Sequence, residues 1–136
     1  MLMSYSMEKN KKTYVLDSNI FIGAFYEDDS LHELSVKLLY EIKDAKIIVP
    51  YCVVQEVSSI FSYRFWKQKA DNFLHFLLET ENIELINNDV LDEVNFYLSF
   101  SDTISFTDLS LILISQKFSA ELLTFDKQLL KLYGWK

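Results

Sequence analysis

The chain has 136 residues, half of them hydrophobic, and a formal net charge of −7. A chain this long can bury about two thirds of its unfolded surface, so one domain with a proper core is expected, over 1–136. Gly23, Gly134 and Pro50 are all the glycine and proline it has, which excludes glycine-rich phosphate loops and disfavours hairpin-rich β folds.

Residues 1–12 read as a flexible N-terminal extension. They mix Met and Ser with Glu8, Lys9, Lys11 and Lys12, and show no apolar signal segment. Residues 13–17 form a β-type run, and a helix is expected from Ser18 through Ile20, Phe21 and Ala24. Asp28, Asp29 and Ser30 mark a turn. Leu31, Leu34, Leu38, Leu39 and Ile42 then recur at helical spacing. A second strand covers 46–49 and closes at Pro50, and helices follow over 51–62 and 66–80. The third strand is 83–86. Asp89, with Asp92 three residues on, caps a helix reaching about Phe100. The segment 105–118 is apolar nearly all round and is therefore expected at the centre of the fold. A fourth strand over 122–125 leads into a last helix from Lys127 to Tyr133.

Strand and helix alternate without hairpin signals. That pattern implies a three-layer α/β/α fold around a central parallel sheet of four to five strands. No apolar run approaches the ~20 residues needed to span a membrane. With Cys52 as the single cysteine there is no internal disulfide and no thiolate cluster. A reducing cytoplasm is the expected compartment.

Acidic residues stand where the apolar runs stop. Asp17 follows Val15-Leu16, Glu56 follows Pro50 within its helix, Asp108 follows Phe106-Thr107, and Asp126 follows Thr124-Phe125. In a parallel sheet, functional sites lie beyond the carboxyl ends of the strands, so these acids converge on one edge. Two carboxylates ~5 Å apart repel by roughly 3 kcal/mol at an effective dielectric of 20. A divalent cation would relieve that repulsion. Each acid also has a plainer use. Asp17 and Asp126 directly precede helices as N-caps, Asp108 completes a capping box with Ser105, and Glu56 suits the dipole at its helix start. That all four fall on one edge favours a shared site, with Ser18, Asn19 and Thr124 as short polar supports.

In order and spacing, Val-Leu-Asp17-Ser-Asn19, the segment from Val49-Pro50 to Glu56, Phe-Thr-Asp108-Leu and Leu-Thr124-Phe-Asp126 resemble the motifs of PIN-domain ribonucleases. The likeness is greatest to the small VapC-type toxins and covers nearly the whole chain. The resemblance implies a PIN-like fold and a Mg²⁺- or Mn²⁺-dependent endoribonuclease, the toxin of a toxin–antitoxin pair. It implies Asp17 and Asp108 as main metal ligands, Glu56 and Asp126 completing the acidic pocket, and Ser18, Asn19 and Thr124 in support. Its partners would be an RNA substrate and a small antitoxin protein. A homodimer is expected on separate grounds: 15% of the residues are aromatic, and Phe61, Phe65 and Trp66 stand near an expected helix–helix junction that an interface would cover. One departure is Asp102, an added acid where such toxins often carry a basic residue and a glycine.

The chemistry agrees on its own terms. Magnesium takes hard oxygen ligands and keeps several waters, so a few carboxylates suffice. Metal-assisted hydrolysis needs no histidine base, and neither His32 nor His75 lies near a motif. The surplus of negative charge argues against binding nucleic acid by charge alone. Arg64, Trp66 and Lys67 form the one basic and aromatic cluster, able to meet RNA or a partner, or to be a solvated turn with Phe65 and Trp66 turned inward. Lys127 and Lys131 lie nearer the expected pocket. Two other readings stand beside the nuclease: a catalytically silent binding module of the same fold, and a phosphoacceptor or phosphatase with Asp17 as nucleophile. Asn19 weakens the latter, since such an enzyme wants a second aspartate there.

Overall fold

A computed structural model describes residues 12–134. The expected extension therefore lies, apart from Lys12, outside the described residues. The elements follow in the order β1 (Thr13–Leu16), α1 (Ser18–Phe25), α2 (His32–Glu41), β2 (Lys46–Pro50), α3 (Tyr51–Arg64), α4 (Lys67–Glu79), β3 (Ile83–Ile86), α5 (Val90–Leu98), α6 (Phe106–Lys117), β4 (Glu121–Leu123) and α7 (Lys127–Tyr133).

The four strands form one sheet in the order β3-β2-β1-β4, and every pairing is parallel. Val15 and Leu16 in β1 and Ile48 and Val49 in β2 are fully buried. Unbroken apolar runs of this kind mark central strands covered on both faces. Helices α1 to α4 pack on one another, while α6 lies on β1 and β4 and carries α5. Leu109, Leu111, Ile112 and Ile114 of α6 are buried, which bears out its central position.

Several phenylalanine rings go inside, while Tyr40, Tyr51, Tyr63 and Trp66 stay exposed. Phe25 stands 5.3 Å from Phe76, 5.6 Å from Phe73 and 6.3 Å from Phe61, in edge-on or tilted contact. Phe21 adds an edge contact to Phe73 at 5.3 Å. One aromatic cluster thus joins α1, α3 and α4, with each favourable ring pair adding roughly 0.5–1.5 kcal/mol to the area it buries.

Helix α2 departs from its apolar periodicity. Leu34 is exposed and Ser35 is fully buried. The cause is a close approach to α1: a Cβ on Gly23 would run into the Ser35 hydroxyl, so only a small residue on each helix fits. Strand β4 also ends earlier than its apolar run. Thr124 leaves the ladder because its Oγ1 accepts the Asp126 N–H at 3.0 Å, which turns the chain toward α7.

Candidate active site

Asp17 follows the last residue of β1. Its N–H still donates to the Leu123 carbonyl of β4 at 2.9 Å, which fixes the main chain. Its side chain is 8 % exposed and accepts from the Ser18 N–H and from Thr124 Oγ1, both at 2.7 Å. Thr124 Oγ1 in turn accepts from Asn19 Nδ2 at 3.2 Å, and Asn19 Oδ1 takes the Phe125 N–H at 3.3 Å. The three polar residues expected in support therefore all lie around Asp17. Thr124 and Asn19 tie α1 to the turn after β4.

Asp17, Ser18 and Asn19 share a cleft of 340 Å³ with Glu56 and Asp108, and Ile22 and Ile60 add apolar wall. Asp108 is half-buried and Glu56 exposed. Asp126 is not on the cleft wall, yet its charge reaches Asp108. The plainer use of these acids is also real. Asp17 caps α1, Ser105 caps α6 through the Asp108 N–H, and Asp126 Oδ1 takes the Gln128 and Leu129 N–H groups at 2.9 and 3.2 Å. Capping occupies one oxygen of Asp126 and the backbone of Asp108, so it does not compete with a shared site.

Burial, before anything else, holds the Asp17 carboxyl above its ordinary range. The hydrogen bonds from Thr124 and Ser18 pull it back, and the charges of Asp108 and Glu56 push it further up. Asp108 is raised likewise, first by burial, against a contact with Ser105, and then by Asp126 and Glu56. Among the described residues, no ion pair involves any of the four acids. Among the described residues, no lysine or arginine lines the cleft.

Could these residues hold a cation? Among the described residues, no three acidic, histidine or cysteine side chains are drawn into a closed ligand cage. Magnesium asks for none, because it dehydrates reluctantly and is commonly held by one or two carboxylates with its waters retained. Among the described residues, the cleft offers hard oxygen donors: carboxylates without a cationic partner, and the buried Ser18 Oγ, which has no hydrogen-bond partner there. That donor set fits a hydrated divalent cation.

The basic and aromatic cluster stands elsewhere. Arg64 is exposed at the end of α3, and Lys67 pairs with Asp71 at 2.8 Å. The two aromatics divide. Phe65 is half-buried with its ring 4.5 Å from that of Tyr26, whereas Trp66 is 63 % exposed. Lys127 is exposed beside Asp126, and neither it nor Lys131 lines the cleft. Thr107, Ile22 and Ile60 do line it and were not marked by the sequence. Nor was Glu93, a carboxylate only 5 % exposed, since a charged residue in an otherwise amphipathic helix reads as solvated.

Among the described residues, no helix is long and apolar enough to cross a membrane. No curated protein sequence matches the chain significantly. Among the solved structures that share its fold are the following two. VapC20 of Mycobacterium tuberculosis, described as a toxin that cleaves the sarcin–ricin loop, superposes with a TM-score of 0.76 at 16 % identity, over 88 % of this chain and 94 % of that one. VapBC2 of Rickettsia felis, solved with a DNA fragment from its promoter, gives 0.65 at 18 % identity, over 88 % and 92 %. At such identities the likeness speaks for the fold. The PIN domain profile matches residues 14–134, nearly the whole described chain, and on that match the chain belongs to the PIN domain family.

Proposed function

We propose that this protein is a divalent-metal-dependent endoribonuclease that hydrolyses RNA phosphodiester bonds, and that it is the toxin of a toxin–antitoxin pair. The observation that carries the reading is the buried, cation-free Asp17 sharing one cleft with Glu56 and Asp108. Asp17 and Asp108 would be the chief ligands of Mg²⁺ or Mn²⁺, with Glu56 at the cleft wall and Asp126 acting on Asp108 from outside it. Bound there, the ion would lower the pKa of a water nucleophile and offset charge on the scissile phosphate. Thr124 and Ser18 hold the Asp17 oxygens in place, Asn19 holds Thr124, and Ile22 and Ile60 restrict water at one wall.

The description of VapC20 as a toxin that cleaves the sarcin–ricin loop supports the same reading, with RNA as substrate, and the likeness to VapBC2 supports a small antitoxin as partner. A cytoplasmic setting agrees with the free Cys52. The phosphatase alternative fits less well, because both ends of the Asn19 amide are engaged by Thr124 and Phe125. A silent binding module would have no use for a buried carboxylate left without a cation.

The test compares wild type with Asp17→Asn/Asp108→Asn for RNA cleavage and for melting with and without Mn²⁺. A cation bound only to the native state adds ~2.7 kcal/mol at a hundredfold excess over its dissociation constant. Mn²⁺ should raise the wild-type melting temperature and leave the folded double variant unmoved and inactive. An equal rise in both, or cleavage by the double variant, refutes the reading.

A further inference from the structure

A second polar cluster, outside the cleft lining, joins helices that carry site acids. Glu93 Oε1 accepts from Ser110 Oγ of α6 at 2.7 Å, and Oε2 accepts from Asn88 Nδ2 at 2.8 Å. Asn88, in the link between β3 and α5, accepts the Cys52 N–H through Oδ1 at 2.9 Å. Cys52 lies in the first turn of α3, where Pro50 as N-cap has no side-chain acceptor to offer. Asn88 therefore supplies from another element the cap that α3 lacks.

We propose that Glu93 is a positioning residue: through Asn88 and Ser110 it locks the first turn of α3 to α6 and so sets the spacing of Glu56 and Asp108 across the cleft. This deepens the nuclease reading and rests on it. Glu56 stands about one helical turn beyond Cys52, and Asp108 lies two residues before Ser110. Among the described residues Glu93 forms no ion pair and takes its hydrogen bonds from neutral donors, with Lys117 acting on it only from farther off. Such a group is costly to keep unless its geometry matters.

The hydrogen bonds separate positioning from general stability. If Glu93 is removed, Ser110 Oγ retains the Phe106 carbonyl of its own helix at 3.0 Å, and Asn88 retains Cys52. Each helix end stays satisfied, and what is lost is the link between them. Glutamine can rebuild that link. Its carbonyl would accept from Asn88, and its amide would donate to Ser110 Oγ while the hydroxyl turns to Phe106.

The experiment measures Mn²⁺ affinity from the free-ion paramagnetic resonance signal, and hydrogen exchange at the Cys52 amide, in wild type, Glu93→Gln, Glu93→Leu and Ser110→Ala. Outer groups that orient ligands commonly change metal affinity 10–100-fold, so Glu93→Leu should weaken Mn²⁺ by about tenfold or more, with Glu93→Gln within about threefold of wild type. Cys52 exchange should quicken in Glu93→Leu, because Asn88 still accepts the Cys52 N–H but has lost the anchor that holds its own amide in place, and not in Glu93→Gln. A folded Glu93→Leu with wild-type affinity overturns the proposal, as does a Glu93→Gln as weak as Glu93→Leu. Should Glu93→Leu fail to fold, Ser110→Ala decides, since it cuts only the α6 end and should still weaken Mn²⁺; wild-type affinity there overturns the proposal. Wild type that binds no Mn²⁺ defeats the nuclease reading instead, and the link is then judged on Cys52 exchange alone.

Discussion

Thr124 Oγ1 donates to Asp17 Oδ2 at 2.7 Å and accepts the Asp126 N–H at 3.0 Å, so one hydroxyl connects the first and last acids of the motif series. The contact has a direction. It favours the ionised Asp17 against the burial that opposes it.

Thr124→Val keeps the shape and removes the hydroxyl. Asp17 then loses its chief stabilising donor, and its carboxyl should rise further. Buried and unmatched, the freed Asp17 oxygen should cost about 1–3 kcal/mol at neutral pH. Mn²⁺ should bind at least about tenfold more weakly, as for other lost orienting contacts. Calorimetric titration and melting of the same variant check both; wild-type values in each would show Thr124 to be a bystander.

The raised carboxyls of Asp17 and Asp108 predict an acid-stabilised apo protein. Between the ordinary value of 3.8 and the higher folded value, the folded chain binds more protons than the unfolded one. This stability is fully present below 3.8 and is lost as pH rises through the folded pKa. Metal-free protein should therefore melt higher in mild acid than at neutral pH. Asp17→Asn should reduce that slope and melt above wild type at neutral pH. Saturating Mn²⁺ should reverse the wild-type trend, because protons compete with it. A pH profile unchanged by Asp17→Asn would show that its ionisation is not opposed by the fold.

The positions of Asp17, Glu56 and Asp126 were legible because a parallel sheet places every strand's carboxyl end on one edge, and the apolar runs before Asp17 and Asp126 and in β2 mark those strands; Asp108 follows no strand and reaches the cleft from the first turn of α6. What the sequence could not convey was how far each acid projects toward the others. Asp126 keeps to its own helix cap, a matter of side-chain geometry that spacing along the chain does not contain. Glu93 was illegible for a related reason. Its burial follows from Asn88 and Ser110 meeting it in space, and no local pattern signals a tertiary partner. In α2 the leucine periodicity was overruled by the Gly23–Ser35 approach. The aromatic count likewise suggested an interface around Phe61, Phe65 and Trp66, whereas Phe61 is fully buried and its ring joins the cluster between α1 and α4.

Ser119 holds the left-handed conformation, with φ of 51°, at the end of α6. The Ala120 N–H closes on the Ser115 carbonyl at 2.9 Å, the bond that finishes a helix when the residue after its C-cap turns left-handed. A left-handed non-glycine residue costs ~1–2 kcal/mol, and glycine's extra unfolded freedom costs ~0.5–1, so glycine should win by roughly 0.5–1 kcal/mol. Ser119→Gly should thus melt a few degrees higher and leave Mn²⁺ affinity and RNA cleavage as they were. A lower melting temperature would mean that the exposed Ser119 side chain makes a contribution of its own.

The apolar surface that needs covering lies on α5. Val90, Leu91 and Leu98 are 65, 70 and 74 % exposed, and Val94 and Tyr97 continue the same helical face. Monomeric proteins rarely leave so continuous an apolar stripe in water. We therefore expect the homodimer to form through α5, with the exposed Trp66 left for the antitoxin, whose amphipathic segment would lie on the α3–α4 junction. Light scattering should find a dimer for wild type and for Trp66→Glu, and a monomer with an unchanged circular dichroism spectrum for Leu91→Glu/Leu98→Glu. A wild-type monomer at micromolar concentration would remove the homodimer altogether. A Trp66→Glu monomer beside an intact Leu91→Glu/Leu98→Glu dimer would return the interface to the helix junction and leave α5 without a partner of its own kind.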